Sequence, residues 1–260
     1  MRRNMSEIAF TYTSPGKIRK TNQDALIVES AEGMGHKKII LAAVCDGMGG
    51  YHQGEIASSY VVNDLSKWFK AQLKEQLENK SSFKSIVENL EKRVYEINKK
   101  IQIYSAENEV MLGTTAVIYF QIDEKYSFIN IGDSRGYILS EDYLRQVTKD
   151  QSLMQQRIEE GLITQKEAVS HPDKSVVLQG IGISKSLKAD IFYGRHKGRE
   201  SVLLCSDGFW RKLETKDIKA LQKAASERKE ITKEKLELLG ESLMERGETD
   251  NLSAVIIKTW

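Results

Sequence analysis

Apolar residues along this chain fall into two kinds of pattern, short continuous runs and longer segments with helical spacing. Apolar positions that recur at threes and fours predict two amphipathic helices over 55–78 and 83–104, which form an antiparallel pair on a sheet. The charged segment 215–246 is also expected to be helical. The short runs predict strands at 8–13, 25–29, 38–45, 114–122, 126–131, 136–139, 143–147, 201–205 and 252–258.

The order of these elements is strands, a helix pair, strands, helices and a final strand. This order predicts an α+β fold with helices packed on a sheet core. At 260 residues the chain can bury a sizeable core, and it contains no linker or internal repeat. Residues 150–175 differ in character, because they are polar and weakly helical and are interrupted by Gly161 and Pro172.

Composition excludes some classes of function. The chain carries 39 basic and 37 acidic residues, a formal charge of +2, so we expect no nucleic-acid partner. No apolar run approaches the roughly 20 residues of a membrane span, so we expect no membrane association. The only cysteines, Cys45 and Cys205, lie inside apolar runs, which indicates no disulfide framework. A reducing compartment, the cytoplasm, is the expected location.

Five aspartates stand at the ends of predicted strands. Asp46 and Asp207 each end an apolar run and are followed by glycine, which lets the backbone turn and bring its carbonyl close to a ligand. Asp133 closes another run, while Asp24 and Asp250 precede runs of their own. Oxygen ligands without a histidine or cysteine cluster suit Mg²⁺ or Mn²⁺ better than zinc. The pattern therefore predicts a site for hard cations.

Seven motifs occur in an order that resembles a known family. They are Arg19-Lys20-Thr21-Asn22-Gln23-Asp24, Asp46-Gly47-Met48-Gly49-Gly50, Gly113-Thr114-Thr115, Gly132-Asp133-Ser134-Arg135, Thr148-Lys149-Asp150-Gln151-Ser152, Ser206-Asp207-Gly208 and Asp250-Asn251. Together they resemble the metal-dependent serine/threonine protein phosphatases of the protein phosphatase 2C type, over about residues 10–258. The bacterial branch is the more similar, because Met48 stands where eukaryotic members usually have histidine.

The resemblance implies a four-layer α-β-β-α sandwich, with two central, mainly antiparallel sheets flanked by helix pairs. It implies one catalytic domain over residues 1–260, with a flap at about 150–182 beside the active site. The implied activity is hydrolysis of phosphoserine and phosphothreonine on proteins by a metal-activated water. Phosphorylated proteins would be the substrates of a monomeric enzyme, and a serine/threonine kinase would be its opposing partner.

The resemblance also implies a centre of two Mn²⁺ or Mg²⁺ ions between the sheets. Asp46 would bridge both ions, and the Gly47 carbonyl would bind one of them. Asp207 and Asp250 would hold one ion directly, whereas Asp24 would act mainly through a coordinated water. Asp46, Asp207 and Asp250 are thus the expected catalytic residues.

Two more roles follow from the same resemblance. In several bacterial relatives a third, weaker ion lies near the equivalents of Asp133 and Asp207. Arg19 matches the arginine that binds phosphate, and a guanidinium can hold two phosphate oxygens in a fork that lysine cannot reproduce. Two cations about 3.5–4 Å apart can lower the pKa of a shared water and offset charge on the phosphoryl oxygens.

The chain also departs from the family pattern. Gln23 stands where many relatives carry glutamate, and Met48 cannot donate a proton. Gln151 and Gln179 replace a histidine and an arginine common in the family, so substrate choice is the least transferable property. A catalytically weak or silent relative that binds phosphoproteins is the alternative function. The retained aspartates argue against it.

Several residues have simpler interpretations. A single aspartate is more often a turn or cap residue than a metal ligand. The five aspartates taken together, each beside a buried strand, favour the metal-ligand interpretation. Arg135 is predicted to be a structural ion-pair partner, and Gly113 to give room for the backbone. The histidines at positions 36, 52, 171 and 196 are expected on the surface or in the flap. The segment Cys205-Ser206-Asp207-Gly208-Phe209-Trp210-Arg211 fits the pattern of a cysteine-dependent phosphatase, but Asp207 would repel phosphate there.

Overall fold

A computed structural model describes residues 9–33, 37–49, 53–226 and 229–259. Its helices are α1 (Gln53–Glu78), α2 (Phe83–Glu107), α3 (Leu153–Glu159), α4 (Gln165–Ser170), α5 (Asp207–Trp210), α6 (Thr215–Ser226) and α7 (Lys229–Glu245). Its strands are β1 (Ala9–Ser14), β2 (Asp24–Glu32), β3 (Lys38–Gly49), β4 (Leu112–Thr114), β5 (Ala116–Ile122), β6 (Lys125–Ile131), β7 (Arg135–Leu139), β8 (Leu144–Gln146), β9 (Asp190–Arg195), β10 (Ser201–Cys205) and β11 (Leu252–Lys258).

The strands form two antiparallel sheets. One sheet has the order β1-β11-β10-β7-β8, and the other has the order β2-β3-β5-β6-β9, with β4 paired to the end of β3. The first and last described strands are neighbours, since Ala9 in β1 lies opposite Ile257 in β11. None of the helices in the described ranges combines the length and hydropathy needed to cross a bilayer.

The continuous apolar run of β3 results from burial of the strand on both of its faces. Successive side chains of a strand point to opposite faces of the sheet, and both faces of β3 are covered. Ile40, Ala42 and Val44 pack between the two sheets with residues of β10 and β11. Leu41, Ala43 and the other residues of alternate parity pack under α1 and α2. Because both of its faces are covered, the strand is apolar from Ile39 to Cys45, and the first polar residue after this run is Asp46.

The outer faces of both sheets carry helices. Trp68 of α1 meets the ring of Phe120 edge-on, with centroids 5.9 Å apart, and its indole donates to Asn89 of α2 at 2.8 Å. On the other sheet, Leu221 of α6 and Leu243 of α7 are buried in a second cluster. The layers are therefore α-β-β-α, which confirms the predicted α+β sandwich.

The structure also contains elements that the pattern did not predict, namely β4, β9, α4 and α5. Among the described strands, β9 pairs with β6 alone and is half-buried or exposed along its length, so it lacks a strong apolar signal. It contains Gly194, a residue that usually weakens strands. Here the glycine is required, because a Cβ at this position would lie 2.2 Å from the ring of Tyr126.

The expectation for His196 was wrong. Its side chain is only 5% exposed. Nδ1 lies 2.7 Å from Oε2 of Glu200, and Nε2 lies 2.7 Å from the hydroxyl of Tyr119. The polar network that fixes the ring joins the two sheets beyond the end of β9 and has no sequence signature. His171 does lie in the flap, against Arg157, and His36 and His52 lie outside the described residues.

Candidate active site

The two sheets bring the five aspartates to one end of the sandwich. Asp24 begins β2 and lies directly opposite Asp46 near the end of β3. Asp207 follows the end of β10, and Asp250 precedes the start of its antiparallel neighbour β11. Asp133 follows the end of β6. Antiparallel pairing places the end of one strand beside the start of the next, so side chains far apart in sequence meet here.

These carboxyl groups are close together and mostly buried. Asp24, Asp133 and Asp207 are each less than a tenth exposed, and the carboxyl groups of Asp46 and Asp207 are close enough to affect each other's pKa. Burial, with a smaller contribution from Asp207 and Asp250, raises the pKa of Asp24 to about 7. Burial and the charge of Asp207 raise the pKa of Asp133 to about 8. A bound cation would relieve this repulsion and favour the ionised forms.

Two buried oxygens of the cluster have no hydrogen-bond partner. They are Oδ1 of Asp24 and Oδ1 of Asp207. The other oxygen of Asp24 accepts a hydrogen bond from the Ser206 hydroxyl at 2.8 Å. A buried, unpaired carboxylate oxygen costs free energy unless a ligand reaches it. The orphaned oxygens therefore fit a cation-binding role.

Side chains alone would not complete such a site. Within the described ranges, no group of three or more acidic, histidine or cysteine side chains is arranged to hold an ion by itself. Two of the predicted ligands face guanidinium groups: Asp207 contacts Arg211, and Asp250 lies 3.1 Å from Arg19. Mg²⁺ and Mn²⁺ keep several waters and accept backbone carbonyls, so a hard cation suits this set better than zinc does.

The glycines after Asp46 and Asp207 are required by close backbone contacts. A Cβ on Gly47 would lie 2.3 Å from the carbonyl oxygen of Gly54, at the start of α1. A Cβ on Gly208 would lie 2.1 Å from the carbonyl oxygen of Asn251. The two Asp-Gly turns therefore press against α1 and the start of β11. Gly50 lies outside the described residues.

Two threonines hold the backbone of Asp46. The hydroxyl of Thr115 accepts from the Asp46 amide at 3.1 Å, and the hydroxyl of Thr114 donates to its carbonyl at 2.9 Å. Gly113 gives room for the backbone, as predicted, because a Cβ there would lie 2.7 Å from Ile183. The threonine contacts were missed, since a Gly-Thr-Thr sequence by itself predicts only the start of a strand.

Asn251 fixes the loop that carries Arg19. Its side-chain oxygen accepts from the backbone amide of Gln23 at 2.8 Å. Its side-chain nitrogen donates to the carbonyls of Pro15 and Thr21, both at 3.0 Å. The buried side-chain amide of Asn251 thus pairs with three backbone groups of a loop that has no regular secondary structure. Asn251 belongs to one of the seven motifs, but nothing in its sequence context indicates that it positions the loop of Arg19.

Replacing Asn251 by leucine is expected to destabilise the protein by about 2–4 kcal/mol, because one amide and two carbonyls lose their partner. We also expect a lower kcat/KM, since the loop with Arg19 loses its anchor. Urea unfolding and phosphatase assays measure the two effects. The control is Asn108→Ala, which removes an exposed amide at the end of α2. An Asn251→Leu variant as stable as the wild type would contradict the assignment.

Arg135 is an ion-pair partner, as predicted. Its Nε and Nη2 donate to the Asp150 carboxylate at 2.9 and 2.7 Å. Its guanidinium carbon lies 3.3 Å from the ring centroid of Trp210, and the Trp210 indole donates to the Asp133 carbonyl at 2.9 Å. This chain of contacts connects the start of the flap to Asp133.

The flap covers a cavity beside the cluster. Helices α3 and α4 line a space of about 300 Å³ together with Asp133, Trp210 and Arg211. The glutamines that depart from the family pattern have structural contacts. The side chain of Gln151 accepts from the amide of Gly132 at 2.9 Å and donates to Asp190 at the same distance. That of Gln179 accepts from the amide of Lys188 at 3.1 Å.

A cysteine-dependent mechanism does not fit this site. Cys205 is fully buried in β10, and burial raises the pKa of its thiol far above its usual range. A nucleophilic cysteine needs the opposite, a lowered pKa and an open pocket. The guanidinium of Arg211 points to Asp207 instead of forming a cradle for phosphate.

The structure is an α-β-β-α sandwich with a cluster of aspartates at one end, and comparison with known proteins identifies its family. A family model described as Protein phosphatase 2C matches residues 18–245. The serine/threonine phosphatase stp of Listeria innocua is 30% identical over 250 residues, 95% of this chain and 93% of the relative. Protein phosphatase PhpP of Streptococcus pneumoniae is 31% identical over 209 residues, 80% of each chain.

Solved structures agree with these relatives. The serine/threonine phosphatase PstP/Ppp of Mycobacterium tuberculosis is similar with a TM-score of 0.80 at 26% identity, over 96% of this chain and 97% of that one. A crystal structure of a bacterial serine phosphatase gives a TM-score of 0.81 at 25% identity, over 97% of each chain. The chain belongs to the protein phosphatase 2C family. It is a serine/threonine phosphatase of a metal-dependent hydrolase family, and the predicted family is confirmed.

Proposed function

We propose that this protein hydrolyses phosphoserine and phosphothreonine monoesters on proteins with two Mn²⁺ or Mg²⁺ ions. The observation that carries the proposal is the cluster of buried aspartates with unpaired oxygens, next to an arginine on an exposed loop. The relatives' names support the same reaction class. A PstP catalytic domain of the same fold has been solved in complex with two manganese ions.

The proposed ligands are those that the cluster contains. Asp46 would contact both ions, Gly47 would offer its carbonyl, and Asp207 and Asp250 would bind one ion. Asp24 would act mainly through a water bound to an ion: Ser206 holds one of its oxygens, and the other, which is unpaired, could accept a hydrogen bond from that water. When bound, the ions would generate a hydroxide near neutral pH and offset charge on the phosphoryl group.

The chain's own residues would bind and orient the substrate. Arg19 is half-exposed at the mouth of the cluster, where its guanidinium can hold two phosphate oxygens. Five aspartates would repel a phosphate dianion in the absence of cations. The proposed site therefore binds phosphate only after the carboxylates are neutralised, so metal and substrate binding are coupled.

Metal removal tests the proposal. Protein dialysed against EDTA is expected to lose turnover of p-nitrophenyl phosphate, and millimolar Mn²⁺ is expected to restore it. Phosphoserine and phosphothreonine peptides are expected to be hydrolysed faster than the matched phosphotyrosine peptide. Activity that is indifferent to the chelator would defeat the proposed mechanism, whereas a preference for phosphotyrosine would defeat only the substrate class.

The alternative, a silent phosphoprotein-binding relative, gains no support from the two glutamines that suggested it. The side chain of Gln179 accepts a hydrogen bond from the amide of Lys188, which is a structural role within the flap region. The backbone of Gln23 accepts from the Ser58 hydroxyl at 2.6 Å, a contact that does not depend on whether the residue is glutamine or glutamate. We propose the active enzyme.

The remaining expectations are part of the same proposal. We infer one catalytic domain over residues 1–260, supported by the pairing of β1 with β11. We infer a monomer in the cytoplasm, where the two buried free cysteines would stay reduced. A serine/threonine kinase that phosphorylates the same proteins would be the opposing partner.

A further inference from the structure

Arg211 places a positive charge inside the aspartate cluster. It follows the one-turn helix α5, and its backbone amide donates to the Asp207 carbonyl at 2.9 Å. The spacing of four residues turns its side chain back over Asp207, and a guanidinium nitrogen contacts Oδ2 of that carboxylate. The Arg211 side chain is only 16% exposed.

Further carboxylates surround the same guanidinium. Oε1 of Glu248 lies 3.7 Å from Nη1 of Arg211, and Asp133 lines the same cavity as Arg211. Glu248 is 4% exposed, and its other oxygen, Oε2, has no hydrogen-bond partner. One arginine therefore balances several buried acids, in a region where charges are weakly screened.

The two oxygens of Asp207 have different surroundings. Oδ2 faces Arg211, whereas Oδ1 is buried without a partner. A divalent ion can therefore use Oδ1 while the ion pair with Arg211 stays intact. An ion shared between Asp133 and the Arg211 side of Asp207 would instead have to displace the guanidinium. Arginine remains charged at any relevant pH and is tethered to the chain, so it does not dissociate.

We propose that the guanidinium of Arg211 is the third cation of this site, held by Asp207 and Glu248 in the cavity that Asp133 also lines, and that it keeps a third divalent ion out. The inference rests on the proposed two-ion function. It states that this chain takes up two divalent ions, and that a built-in arginine neutralises the carboxylates that remain.

The test counts bound Mn²⁺ directly. Metal-free protein is dialysed to equilibrium against MnCl₂ up to millimolar concentration, and bound manganese is measured by atomic absorption. The wild type and Arg211→Lys, which keeps the charge, are expected to bind two ions. Arg211→Gln is expected to bind a third, with a Kd at least about ten-fold below any third binding in the wild type.

A matched control removes a different half-buried arginine. Arg246 donates to Asp217 at 2.9 Å and is 19% exposed, close to the exposure of Arg211, but it lies between α6 and α7. Arg246→Gln is expected to lower stability and to bind two ions. A gain of manganese in this variant would show that loss of any arginine ion pair adds binding, which would overturn the inference.

Other outcomes also decide the question. Three ions on the wild type, or two on Arg211→Gln, would overturn the inference and leave the proposed function intact. No manganese on the wild type would overturn both. Circular dichroism checks that each variant folds, and Arg211→Met, which removes the charge without adding a ligand for hard cations, serves as a second variant if the glutamine variant does not. If neither Arg211→Gln nor the second variant at this position binds a third ion, the inference is also overturned.

Discussion

Replacing Asp46 by asparagine is expected to lower kcat/KM for a phosphoserine peptide on the order of 10³-fold or more, measured with saturating Mn²⁺. Asparagine keeps the shape of the side chain but removes the charge that would contact both proposed ions. Asp207→Asn is expected to have an effect of the same order, because its carboxyl belongs to the same cluster and has an unpaired oxygen, Oδ1, for an ion.

The same Asp46 variant is expected to be more stable than the wild type when metal is absent. Burial raises the pKa of Asp46 well above its usual range, and the neighbouring carboxylates add to this. A carboxyl whose folded pKa is raised costs stability at neutral pH, where the unfolded chain would ionise it freely. Removing the group removes that cost. Thermal unfolding in EDTA is expected to show a higher Tm for Asp46→Asn.

Asp217→Asn is the matched control for this pair of measurements. Asp217 is also buried, but it is paired with Arg246 at the helical layer, away from the cluster. The ion pair lowers the pKa of Asp217, so its loss is expected to lower Tm and to leave kcat/KM within about two-fold. An Asp46→Asn variant that lost activity and stability together would indicate misfolding and would remove the support for a ligand role.

The sequence predicts the strand ends better than it predicts what each aspartate contacts. The apolar run 38–45 predicts a buried strand with Asp46 directly after the run, and the register with β2 then places Asp24 opposite Asp46. The strand itself continues to Gly49, where it pairs with β4. The pairing of Arg211 with Asp207 has no such signal. In the sequence, Arg211 also fits the cysteine-x5-arginine pattern, in which the arginine binds phosphate. Only the folded structure shows that its side chain points to Asp207 instead.

The flap shows the same limit. Gln151 and Gln179 were notable in the sequence because they replace charged or titratable residues of the family. In the structure both amides hold backbone groups, at Gly132 and Lys188. An amide side chain can pair with any nearby donor or acceptor, so its partner depends on chain segments that meet only in the folded state. Residue type alone does not distinguish support of the flap from contact with a substrate.

Replacing Arg19 by alanine is expected to lower kcat/KM by about 100-fold, because the phosphate loses a bidentate partner. Arg19→Lys is expected to recover only part of this, since an ammonium keeps the charge but lacks the planar fork. The inhibition constant of inorganic phosphate is expected to rise in both variants. Mn²⁺ binding to the metal-free protein is expected to strengthen slightly, because Asp250 loses a competing cation 3.1 Å away.

Lys20→Ala is the control for Arg19, because it removes an adjacent exposed cation and tests the net charge of the loop. We expect its kcat/KM to stay within about two-fold of the wild type. An equal loss in the two alanine variants would indicate that the loop attracts substrate by charge alone. An unchanged phosphate inhibition constant in Arg19→Ala would contradict the proposed contact, because a phosphate-binding fork must affect the affinity for free phosphate.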